Sequence, residues 1–276
     1  DPNLTPADAA RLKALYGLDK PIWDRYLNWL SAALSGDLGF SRVFSRPVPE
    51  VMMPHLRRTV ILMGASFVLA TAIAIPLGVL AASRPYSFRD YTINLLSFAG
   101  KSVPPFWLAL MLILLFAVQL RWFPPGGFET AGENSVWDRI RHMVLPVLTL
   151  TLLNIASVAR LMRAEMMGVL RQDFIRTARA KGLSQRGVLF GHALRNALIP
   201  VVTIIALEFG ALFSGALITE TVFSYPGMGK LIYDAIIGND FNLALFGLLF
   251  ATLITLIANL GADLTYAGLD PRISYK

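Results

Sequence analysis

Apolar residues gather into five blocks along the chain, at 59–83, 104–120, 142–161, 199–218 and 243–266. Each approaches or exceeds the ~20 residues that carry a helix across about 30 Å of hydrocarbon. The pattern predicts an all-α, polytopic membrane helix bundle with five transmembrane helices. Pro76 and Gly78 inside the first block fit a membrane helix, where both are tolerated. A less apolar helical stretch at 90–100 precedes the second block. In the fourth, Gly210, Ala211, Ser214, Gly215 and Ala216 let helix backbones approach closely, within the bundle or between subunits. The residues before the first block read as a separate extracytoplasmic, partly helical segment, 1–58, ahead of a membrane domain, 59–276. In that segment Thr5-Pro6-Ala7-Asp8 carries a helix-start signal, and 23–34 is amphipathic.

Loop charges orient the bundle. The 160–198 loop holds Arg160, Arg163, Arg171, Arg176, Arg179, Lys181, Arg186 and Arg195 against Glu165 and Asp173. Arg84 and Arg89 precede the second block, and Arg272 and Lys276 end the chain. On the other side, Arg121, Arg139 and Arg141 are offset by Glu129, Glu133 and Asp138, and the 219–242 loop has only Lys230 as a base. The positive-inside bias places the first group in the cytoplasm, and so residues 1–58 outside. Those residues contain no signal-peptide core. Their export calls for a preceding hydrophobic helix, so the expected parent has six spans with both ends in the cytoplasm.

Composition agrees and narrows the chemistry. Hydrophobic residues make up 55% and charged residues 16%, where a soluble domain carries about a quarter charged. The absence of cysteine removes disulfides, thiolate catalysis and cysteine metal sites. The net charge of +7 does not indicate nucleic acid, because 8 of the 25 basic residues sit in the single 160–198 loop. His55, His142 and His192 show no ligand spacing, and no catalytic set is visible. The run Tyr225-Pro-Gly-Met-Gly-Lys230 superficially suggests a phosphate loop. It fails, since Ser224 stands where a glycine is needed and Leu231 where a Ser or Thr is needed. It reads better as a tight turn, with Glu220, Phe223, Tyr225, Pro226 and Gly227 as an extracytoplasmic loop contact. Polar groups inside spans are costly and draw attention. Glu208 and Asn154 are assigned to a translocation path or to structural pairing, Asn259 to interhelical hydrogen bonding and Asp263 to a solvated helix end.

Residues 171–200 carry most of the information. Asp173 to Lys181 are helix formers ending at Gly182, a natural C-terminal cap. A second helical piece, 185–197, leads into the next span. Phe174, Ile175 and Leu183 among basic residues make an amphipathic element too short to span, which must rest on the bilayer or in a partner's groove.

Thr177-Ala-Arg-Ala-Lys-Gly182, followed by His192-Ala-Leu-Arg-Asn196 and Pro200, resembles the signature loop of binding-protein-dependent ABC importer permeases, in their dipeptide/oligopeptide/nickel branch. Arg176 stands where other branches have glutamate, a departure usual for this branch. Leu15-Tyr-Gly-Leu-Asp-Lys-Pro21, Gly36-Asp-Leu-Gly-Phe40, Ser102-Val-Pro-Pro-Phe-Trp107, Glu220-Thr-Val-Phe-Ser-Tyr-Pro-Gly-Met-Gly229 and Leu269-Asp-Pro-Arg-Ile273 extend the resemblance over nearly the whole chain. In such permeases an additional first span ends in a Gly-Asp-Pro turn, which Asp1-Pro2 resembles. The resemblance implies a type I ABC importer fold in a bacterial or archaeal inner membrane. It implies a second homologous permease subunit, two cytoplasmic ATPases that hold ATP and Mg, and an extracytoplasmic binding protein. Asp173, Phe174, Ile175, Arg176, Thr177, Ala178, Arg179, Ala180, Lys181 and Gly182 would form the ATPase-coupling helix, with His192, Arg195 and Asn196 beside it. Small residues such as Ala178 and Ala180 would allow close docking. The chain itself would hold no cofactor or metal and hydrolyse nothing. Peptides are the expected cargo, with nickel chelates, glutathione and oligosaccharides as the other substrates of this branch. A secondary transporter would show internal repeats and an ion pathway, and an intramembrane enzyme a clustered acid/base or metal set.

Overall fold

The structure is a computed structural model that describes residues 7, 19–133 and 135–269; side chains at 203, 206–215, 262–263 and 265–269 fall outside this description. It is a helical bundle. Helix α1, Ile22–Leu34, follows Pro21 and rests on the bundle through Trp29, whose ring stacks on Phe246 at 5.6 Å. Most of the Thr5–Asp8 helix signal lies outside the described residues. A two-residue hairpin then pairs β1, Phe40–Ser41, with β2, Arg46–Pro47.

Helix α2 spans Val48–Ser83, 36 residues. The expected boundary at 59 is therefore corrected: the helix begins at Val48, directly after Pro47. Val48, Val51, Met52, Thr59, Leu62, Met63 and Ser66 are buried at helical spacing, so one continuous face packs from the first turn. The charges at Glu50, Arg57 and Arg58 hid that face from a reading by hydropathy.

Helix α3 covers Phe88–Ser102, with the Ser87 hydroxyl accepting from the Asp90 amide. Pro104 then breaks the chain, and α4, Pro105–Leu112, runs into a π-helical stretch, Ile113–Gln119. The two arms bend by 104°. Helix α5, Val136–Val169, is 34 residues long. At ~1.5 Å per residue α2 and α5 reach about 50 Å, so both project beyond a ~30 Å hydrocarbon layer. They pack along each other closely enough that a Cβ on Gly78 would lie 2.5 Å from Met162 Cβ. Only a hydrogen fits there.

The short α6, Asp173–Ala180, precedes a π-helical stretch, Gly187–Ala193, which continues as α7, Leu194–Val222. Helices α8, Met228–Ile237, and α9, Phe241–Leu269, complete the chain. Among the described residues, α2, α5 and residues Phe241–Gly261 of α9 are long and apolar enough to cross a membrane; α3 and α4 with its π-helical extension are together as apolar, but bent by 104°, as in a broken span or a re-entrant loop. The fourth expected span, 199–218, lies within α7, many of whose side chains are outside the described set. Leu248, Leu253, Leu256, Ile257 and Leu260 of α9 are exposed, as a surface facing lipid or another membrane helix must be.

Asp240, in the turn before α9, pins the hairpin to this end of the bundle. Its carboxylate accepts from Ser41 Oγ at 2.5 Å, Val43 N at 3.0 Å and Leu243 N at 3.2 Å. Burial alone pushes its pKa up, but these hydrogen bonds outweigh burial and hold it below the usual carboxylate range. A depressed folded-state pKa stabilises the fold above the unfolded-state value of about 3.9, and that contribution is lost as pH falls through the folded value. Wild-type protein is therefore expected to lose melting temperature more steeply below about pH 4 than Asp240→Asn. Parallel acid titration curves for the two proteins, followed by thermal denaturation, would refute this.

Candidate functional site

The sequence singled out the segment after α5. Its periodicity explains the fold of α6. Ile175 is fully buried and Ala178 nearly so, and both join the core built from Val169, Met162, Met166, Val188, Ala193 and Ala197. These two positions, three apart, define one helical face. Asp173, Phe174, Arg176, Thr177, Arg179, Ala180 and Lys181 point outward. Ala178 therefore serves the chain's own core, a correction to its reading as a docking residue. Close approach from outside is left to Ala180.

Gly182 ends the helix with φ +79°, a left-handed conformation that favours glycine. A Cβ there would meet nothing within 4 Å, so backbone conformation rather than crowding accounts for the residue. Arg176 pairs with Asp173 at 3.2 Å, but both are exposed, and such pairs add little stability. His192, Arg195 and Asn196 are exposed on the neighbouring turns, Asn196 Nδ2 donating to the His192 carbonyl at 2.8 Å.

Two further clusters hold the bundle together. Near the α6 end, the Arg163 guanidinium of α5 donates twice to Asp90 of α3, Nε to Oδ1 at 2.5 Å and Nη2 to Oδ2 at 2.6 Å. Asp90 is buried and also accepts from Tyr86 N and Asn94 Nδ2. The sequence alone shows Arg163 only as a loop charge and Asp90 only as the first residue of a helical stretch. The Ser87–Asp90 cap was the one local signal that Asp90 is held in place.

At the other end, Glu220 of α7 accepts from Thr59 Oγ1 at 2.6 Å, Gly229 N at 2.7 Å and Lys230 N at 3.2 Å. Thr59 Oγ1 in turn accepts from Met228 N at 2.7 Å. The amides that open α8 thus donate to an oxygen acceptor, as helix N-termini do. Here the acceptor is the chain's own Glu220 carboxyl group, which explains the superficial phosphate-loop pattern. A Cβ on Gly227 would overlap the Glu220 carboxylate, and one on Gly229 would lie 2.5 Å from Leu217 Cα. The contact expected at Glu220, Phe223, Tyr225 and Gly227 is corrected: these residues are buried within the chain and Pro226 is half-buried, so they shape a knot rather than present side chains.

Asn154 donates to the Leu150 carbonyl of its own helix at 2.6 Å. Glu208 and Asp263 lie outside the residues whose side chains are described. Asn259 is half-buried on α9.

Residues 74–275 match the family described as "Binding-protein-dependent transport system inner membrane component". The chain belongs to this family of permeases. The permease is 43% identical over 277 residues to the oligopeptide transport system permease protein AppB of Bacillus subtilis (strain 168), covering 100% of this chain and 88% of the relative. It is 39% identical over 296 residues to the dipeptide transport system permease protein DppB of Escherichia coli (strain K12), covering 99% and 87%. Among solved structures, the permease resembles a chain of the inward-facing MetNI methionine ABC transporter, with TM-score 0.65 and 17% identity over 80% of this chain and 96% of that one. It also resembles a chain of an amino acid ABC transporter crystallised with histidines, with TM-score 0.60 and 14% identity over 80% and 94%. At these identities the likeness concerns the fold, which is that of type I ABC importer permeases.

Proposed function

We propose that the permease, paired with a second homologous subunit, forms the alternating-access pathway of an ATP-driven peptide importer, and that α6 is where the ATPase drives it. One observation carries the coupling assignment. A helix of 8 residues, far too short to span a membrane, is clamped to the bundle by Ile175 and Ala178 while its other face stands open. A rigid element of this kind transmits displacement, because a partner gripping the outer face moves the packed helices beneath it. Phe174 and Ala180 fit a groove, and Arg176, Arg179 and Lys181 suit an acidic rim that orients more than it binds. ATP and Mg would reside on two cytoplasmic ATPases, and an extracytoplasmic binding protein would deliver the cargo. The relatives named for oligopeptide and dipeptide transport support peptides as that cargo.

The test uses the whole transporter in proteoliposomes. Ala180→Trp and Phe174→Asp are expected to lower ATP-driven tripeptide uptake by about 10-fold or more, the scale of a few kcal/mol in interface binding. Both should release the ATPase on co-purification without shifting the melting temperature. Wild-type uptake with the ATPase retained would overturn the coupling role. Uptake of nickel chelates, glutathione or oligosaccharides in place of peptides would overturn the substrate.

A further inference from the structure

A cavity of about 700 Å³ lies between the N-terminal ends of α2 and α5, lined among others by Arg57, Arg58, Ile61, Phe128, Arg139 and Met143. Its volume falls within the ~300–1,000 Å³ of small-molecule sites. Both helices enter from the extracytoplasmic side, by the orientation that loop charge assigns, and both run from charged to apolar in the same order. On α2, Arg57 precedes Ile61 by one turn; on α5, Arg139 precedes Met143 by one turn. The cavity therefore has a cationic rim above an apolar floor.

The charge at the rim is not balanced from within. Three guanidiniums share the cavity with one carboxylate, Glu129, which pairs with Arg139 at 2.9 Å. Arg57 and Arg58 take part in none of the ion pairs among the described residues. The Arg58 guanidinium lies 4.4 Å from the Phe128 ring centroid, a contact that orients the charge without neutralising it. Arginine is also the residue that the positive-inside bias disfavours on this side, so topology offers no reason for the cluster. Met53, Ile61 and Ile140, which help form the walls, are exposed. The cavity is thus an open-sided groove along the helices, a form that admits a chain lying parallel to them.

We infer that this groove is a site for an anionic phospholipid of the extracytoplasmic leaflet. The phosphodiester sits against Arg57 and Arg58, where guanidinium groups match phosphate oxygens, and one acyl chain lies over Ile61, Ile140 and Met143. Basic pockets between membrane helices take anionic headgroups in this manner.

The test compares phosphatidylglycerol, phosphatidylcholine, inorganic phosphate and a tripeptide on the delipidated transporter. Thermal denaturation and native mass spectrometry are the readouts. Phosphatidylglycerol is expected to raise the melting temperature above phosphatidylcholine and to persist as a bound adduct. In Arg57→Gln/Arg58→Gln its affinity should fall about 10-fold or more, while phosphatidylcholine behaves as before. Arg57→Gln alone, at an exposed position, gives the same readout at smaller amplitude if the double variant is unstable. Equal response to the two lipids, or unchanged phosphatidylglycerol binding in the variants, overturns the site. Protection by inorganic phosphate or by the tripeptide, without any by the lipid, overturns the lipid assignment.

Discussion

Glu220→Ala is expected to cost about 4 kcal/mol of stability, the sum of several unpaired buried groups at ~1–3 kcal/mol each. The carboxylate is fully buried and serves the Thr59 hydroxyl and the amides of Gly229 and Lys230. Alanine leaves all three without their partner and opens a cavity beside Gly227. Glu220→Gln is expected to cost far less, because its amide oxygen still accepts from the two backbone groups while its amide nitrogen turns to Thr59. Because the knot ties α2, α7 and α8 together, uptake should fall with stability in the alanine variant and recover largely in the glutamine one. Thermal denaturation in detergent beside uptake in proteoliposomes decides the matter. Wild-type stability in the alanine variant would show that the carboxyl group organises nothing.

Asp90→Asn is the second substitution with a large expected effect, about 3 kcal/mol, at the low end of what breaking a buried ion pair costs. The Arg163 side chain is 22% exposed and Asp90 only 2%, so solvent screens part of the loss. The damage comes from stranding a guanidinium against its neighbours. Asp90→Asn/Arg163→Met should therefore be more stable than Asp90→Asn alone. A double-mutant cycle measured by chemical denaturation is expected to give an interaction energy of about 2 kcal/mol, within the range for contacting residues. A value near zero would mean that the pair is incidental. Should the proposed coupling role of α6 hold, the same variant will also lose uptake per ATP hydrolysed, since Arg163 ties α3 to the helix that carries α6.

Much of the architecture was legible before any coordinates. Apolar blocks located the long helices, because a segment in hydrocarbon must be apolar along its whole length whatever it packs against. Gly182 marked the end of α6 for a local reason, the left-handed backbone that follows the helix. The start of α2 was misplaced for a related reason. Hydropathy averages over all faces of a helix, so Glu50, Arg57 and Arg58 masked the buried stripe of Val48, Val51 and Met52.

The site was legible only in outline. Amphipathicity identified α6 as an element that must rest on something. It did not say which of its two apolar positions, Ile175 and Phe174, would face inward, and Ala178 was assigned outward when it packs inward. That choice depends on which surface α5 and α7 leave vacant beneath the helix.

By itself, then, the sequence determined a polytopic helical bundle and the short amphipathic element between α5 and α7. These follow from local composition and periodicity, which act within a few turns of chain. Tertiary structure alone decided the pairs that hold the bundle: Asp90 with Arg163 across 73 residues, Glu220 with Thr59 across 161, Asp240 with Ser41 across 199. A hydrogen bond forms at about 3 Å in space and leaves no periodic trace along the chain, so only the folded arrangement of the helices could bring these partners together.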